Sequence, residues 1–140
     1  MNFNFNNLQY ITEGTEHVVK TNVKFWNGNK VKIKLLNSFP LDAKWEPLLK
    51  ILKLNIKLIE KKVIDEEYKI YKSQVKSLSK SDFLKSIIPE VIIFAGQYSK
   101  THDVRFEIWC DDGQNVGHSM IIHGTIKNTK VIITDVEVSG

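Results

Sequence analysis

The chain has 140 residues, with 20 Lys+Arg against 16 Asp+Glu for a net charge of +4, 42% hydrophobic and 26% charged. Those values describe one ordinary globular domain, 1–140, and exclude a tandem two-domain enzyme, a disordered tail and a coiled coil. No apolar run approaches the ~18 residues that a membrane helix needs, and the single cysteine, Cys110, excludes a disulfide scaffold.

Residues 1–14 are weakly patterned, with a short strand expected around residues 8–12. Residues 1–7 have neither the basic nor the apolar region of a signal peptide, so the expected compartment is the cytosol. A hairpin follows. Val23 and Phe25 alternate with Lys24 and Trp26, the turn is Asn27-Gly28-Asn29, and Val31, Ile33 and Leu35 alternate with Lys30, Lys32 and Lys34. Period-two alternation on both sides of Asn-Gly predicts two antiparallel strands with the Val/Phe/Ile/Leu face inward.

The spacing of Leu48, Leu49, Leu52, Ile56, Ile59 and Val63 predicts a helix over residues 46–63, with Pro47 in its first turn, where no N–H is missed. A second helix is expected over 65–78, with Asp65, Glu66 and Glu67 at its dipole-positive start. Ser79-Lys80-Ser81-Asp82 begins a third, short helix that Pro89 stops. Strands are then expected over 90–95, 104–110, 118–126 and 130–138. Strands, then helices, then strands define an α+β fold: an antiparallel sheet of five to six strands, with two to three helices after the N-terminal hairpin packed on one face.

The runs Phe106-Glu107-Ile108-Trp109-Cys110-Asp111-Asp112-Gly113 and Gly117-His118-Ser119-Met120-Ile121-Ile122-His123-Gly124, with the closing Gly140, resemble the bacterial family known as domain of unknown function 2262 (DUF2262) over roughly residues 20–140. The resemblance implies a compact bacterial α+β domain and carries no chemistry.

Asp111, Asp112 and His118 are the candidate catalytic residues. Two carboxylates and an imidazole could hold a divalent metal or form an acid–base pair in a metal-assisted hydrolase; the other reading is a turn held by Asp side chains. His118 and His123, five apart on one strand, face opposite sides and cannot share a metal. Cys110 continues the Val104/Phe106/Ile108 face, so it is expected inside and inert. No nucleotide loop, nucleophile elbow or HExxH is present, and neither cofactor nor metal is expected.

Alternation turns Trp26 outward with Lys24 and Lys32, and Trp109 outward with Arg105 and Glu107. Aromatics among cations suit the anchoring of a protein partner or the stacking of single-stranded bases, and lysine stems or the N-terminal segment can also cover them. Nineteen Lys beside the single Arg105 disfavour nucleic acid, because the guanidinium fork is the better phosphate reader. The expectation is a non-catalytic, protein-binding bacterial domain, such as an immunity or accessory protein. Trp26, Trp109, Arg105, Lys24 and Lys32 would be its binding residues.

Overall fold

The computed structural model describes residues 17–36, 45–96, 103–113 and 119–139. The expected strand at 8–12 and His118 lie outside them. In chain order the elements are β1 (His17–Trp26), β2 (Asn29–Leu35), α1 (Trp45–Leu54), α2 (Ile56–Val63), a π-helical turn (Ile64–Tyr68), α3 (Lys69–Gln74), α4 (Lys80–Ser86), β3 (Ile88–Gly96), β4 (Val104–Asp111), β5 (Ser119–Lys127) and β6 (Lys130–Ser139). The strands form one six-stranded sheet in which spatial order follows chain order. This is the expected α+β fold. Four of the five pairings are antiparallel, and β2–β3 is parallel. The helices make that one exception possible, because parallel neighbours require a long crossover. No helix is long and apolar enough to cross a membrane among the described residues.

The helical layer lies on one face of the sheet. Leu52, Ile59 and Phe83 from the helices meet Ile33, Ile92, Phe94, Phe106, Ile108 and Ile122 from the strands, all essentially without solvent contact. Fully burying each such side chain contributes about 1.5–3 kcal/mol. The expected helix over 46–63 is broken at Asn55. The Asn55 Nδ2 donates to the Ile51 carbonyl at 2.7 Å, and its backbone leaves helical geometry (φ −111°, ψ 20°). A short amide side chain competes with the helix for its own carbonyls in this way.

Between the first two expected helices there is no break. The inward residues Ile59, Val63, Glu67 and Tyr71 are four apart. In a regular α-helix that spacing drifts by about 40° per step. The wider π turn at Ile64–Tyr68 absorbs the drift and keeps the line on the sheet. The expected cap at Ser79 is present, with the Asp82 amide donating to Ser79 Oγ at 3.0 Å. The hairpin turn is present too, with Asn27 (φ 52°) and Gly28 (φ 74°) in the left-handed region.

The hairpin differs from expectation in register. Lys24 pairs with Lys30, but Trp26 pairs with Asn29, so β1 takes two steps where β2 takes one. This bulge turns Trp26 to the core side, because a one-residue slip reverses the facing of a strand. Trp26 is 3% exposed, beside Phe25 in the core cluster, and its Nε1 donates to Glu60 Oε2 at 3.2 Å. The expected outward placement of Trp26 is therefore corrected. Val23, expected inside, is 42% exposed.

Candidate binding surface on the outer face of the sheet

The sheet face away from the helices is built from cross-strand rows. One row runs Lys32, Val91, Trp109, Ile121, Glu137, and the next runs Lys34, Ile93, Glu107, His123, Asp135. Cations thus stand at the β2 end and carboxylates at the β6 end; between them lie Val91, Trp109 and Ile121 in one row and Ile93, Glu107 and His123 in the other. Leu36, Ile93 and Ala95 form a second, smaller buried cluster, against which Val91 and Trp109 pack. Trp109 is on the expected outer face and partly buried. Lys24 and Lys32 are exposed; Arg105 is partly buried on the same strand as Trp109. Burial lowers the Arg105 pKa, and Glu107 opposes that shift.

At the β2 end the face opens into a groove of about 670 Å³, whose lining includes Asn22, Lys30, Lys32, Pro89, Val91 and Trp109. Its origin is a divergence of strands. β2 begins at Asn29 and β3 at Ile88, yet their pairing starts only at Lys32↔Val91. Pro89 brings no N–H to a ladder, and the register between β3 and β4 shifts between Pro89 and Val91, which marks Glu90 as a bulge. Both features turn the start of β3 away from β2.

At the β6 end His123 stands between two carboxylates. Its Nε2 is 2.5 Å from Glu137 Oε1 and its Nδ1 is 3.7 Å from Glu107 Oε2. Glu107 is only 8% exposed. Burial, then the charge of Glu137, pushes its pKa up to about 8, against the pull of Arg105. Each carboxylate faces a different ring nitrogen, so the three groups do not converge on one point. Strand alternation places Glu107 and His123 on their faces without joining them. Alternation within each strand was the available signal, and the cross-strand register that brings them together has no local mark.

Asp111 and Asp112 diverge. The Gly113 amide donates to Asp111 Oδ1 at 2.8 Å, closing an exposed turn. Asp112 is fully buried and its Oδ2 accepts from Tyr71 Oη at 2.6 Å, tying β4 to α3. Burial, then that hydrogen bond, raises the Tyr71 pKa. Gly113 (φ +71°) lies against Ser86, whose carbonyl oxygen would be 2.2 Å from an added Cβ. Asp112 and Gly113 therefore hold this turn to the helical layer. Among the described residues no group of three His, Cys, Asp or Glu side chains could hold a metal ion. Cys110 faces inward as expected, and burial pushes its thiol pKa up, away from a reactive thiolate.

The fold and this face define an α+β domain with a charged, aromatic-floored groove at one end of its sheet. Comparison of the chain with family models, curated proteins and solved structures finds no match.

Proposed function

We propose that this protein is a non-catalytic binding domain that docks another protein on the outer sheet face, with Trp109 as the anchor. The observation that carries the reading is the groove in which Trp109 is flanked by Lys30 and Lys32 on a rigid sheet. An indole fixed by neighbours loses little entropy on binding, and tryptophan dominates the energetics of many interfaces. Trp26 leaves the set of contact residues and becomes a core residue, while Lys32 lines the groove and Lys24 stands opposite Lys30, which also lines it. Of the three residues of the alternative hydrolase, Asp111 and Asp112 point to different partners, and His118 lies outside the described residues.

A photo-reactive side chain placed at Asn22 tests the reading in the native cell. Trp109→Leu and Lys32→Glu should each lower the cross-linked partner at least tenfold while leaving the thermal midpoint within about 3 °C, less than a 1 kcal/mol change produces in a domain of this size. Unchanged cross-linking in both folded variants would overturn it.

A further inference from the structure

We propose that the wedge between residues 29–31 of β2 and residues 88–90 of β3 receives an extended, acidic segment of the partner, added as a short strand beside β2. This rests on the binding role just assigned to the Trp109 face and names the chemistry of what fills it.

Three observations converge. The first is the backbone. A strand directs its hydrogen-bonding groups alternately to its two sides. β1 takes one side of residues 29–30 through Asn29↔Trp26 and Lys24↔Lys30. On the other side β3 pairs only from Lys32 onward. Among the described residues no other strand pairs there, so at least one N–H and C=O set of residues 29–31 points into the gap. Such groups are obligatory donors and acceptors, and an extended peptide supplies their complement at the right spacing.

The second observation is the floor. Val91 and Trp109 are cross-strand neighbours and both border the gap. They offer one apolar seat for alternate side chains of an added strand. The third is charge. Lys30 and Lys32 flank the opening, Lys24 is opposite Lys30, and Glu90 is the one acidic side chain among the described lining residues. Two or three ammonium groups against one carboxylate favour Asp or Glu in the incoming segment. Complementary charge steers encounter and fixes register. A nucleic acid suits the site less well. It has no regular backbone ladder to offer, and the chain's one guanidinium, on Arg105, lies outside the described lining.

The test uses the full chain, isotope-labelled, with three probes: the heptapeptide Asp-Val-Asp-Phe-Asp-Val-Asp, its counterpart with every Asp replaced by Lys, and a ten-nucleotide oligothymidine. The acidic peptide should shift the amide signals of Lys30, Val31, Lys32 and Val91 and the Trp109 indole signal. At saturation it should slow amide exchange within residues 29–31 at least tenfold. Lys30→Glu combined with Lys32→Glu should weaken it at least tenfold, and Glu90→Lys should strengthen it.

The proposal is overturned if the acidic peptide leaves these signals unmoved at millimolar concentration, if the Lys peptide binds as well, if exchange is not slowed, or if oligothymidine binds the same residues more tightly. Partner cross-linking that still depends on Trp109 while the acidic peptide fails would leave the binding role standing and remove only the acidic strand.

Discussion

Single residues show how differently this chain uses similar side chains. In sequence Trp26 shares its alternation with lysines and Trp109 with Arg105 and Glu107, but only Trp109 stays on the outer face. Trp26→Ala should cost about 3–5 kcal/mol in urea denaturation, the loss expected for a large aromatic removed from a packed core. Gly113→Ala combines a left-handed backbone with a Cβ that would meet the Ser86 carbonyl oxygen at 2.2 Å. It should cost about 2 kcal/mol or more, with the strained φ contributing about 1–2 of it. Glu107 makes stability depend on pH. Its folded pKa, about 8, lies above the reference 4.5. The folded state therefore holds a proton that the unfolded chain releases, and stability present below 4.5 is lost as pH rises through 8. The urea midpoint should fall between about pH 5 and about pH 9. Glu107→Gln should flatten that slope, and an unchanged slope in the variant would place its origin elsewhere.

At the scale of elements, the parts readable from sequence are those set by local chemistry. The Asn-Gly turn, the Ser79 cap, the inward run Val104/Phe106/Ile108/Cys110 and the order of strands and helices all follow from neighbours in the chain. What escaped depended on partners far away. The β1 bulge that inverts Trp26 is visible only against β2. The π turn looks like a helix boundary until the sheet demands one straight inward line. The wedge between β2 and β3 comes from Pro89, which the sequence marks as a helix stop but not as a strand divider. The candidate site was half legible for the same reason. Trp109, Lys24 and Lys32 were identified on the right face, whereas His123 and Glu137 emerge only from the β4–β5–β6 register. Asp112 reads in sequence as either a ligand or a turn residue, and it acts as a tie to Tyr71. Tyr71→Phe should cost about 0.5–3 kcal/mol, the range for one lost hydrogen bond, with the outer face unchanged by amide shifts.

Across the whole molecule, the helices cover one face and the charges divide the other, with lysines toward β2 and carboxylates toward β6. Because spatial order follows chain order, β3 to β6 form a meander of short-range pairings, while β2–β3 must wait for the entire helical crossover. Contacts close in sequence form with less entropy lost to loop closure. Amide exchange should therefore protect β4 and β5 most strongly and open the β1–β2 hairpin first. The outer strand β6 has its own safeguard. The Val136 amide donates to Glu66 Oε2 at 3.0 Å, a carboxylate that the π turn carries and Lys62 accompanies at 3.3 Å. An exposed strand margin is a template for fibrous stacking of identical molecules. A side chain that occupies one rung of that template is placed as a gatekeeper: the distorted turn that straightens the helix line should also hinder copies of this protein from zipping together, and Glu66→Ala should make concentrated solutions polymerise sooner.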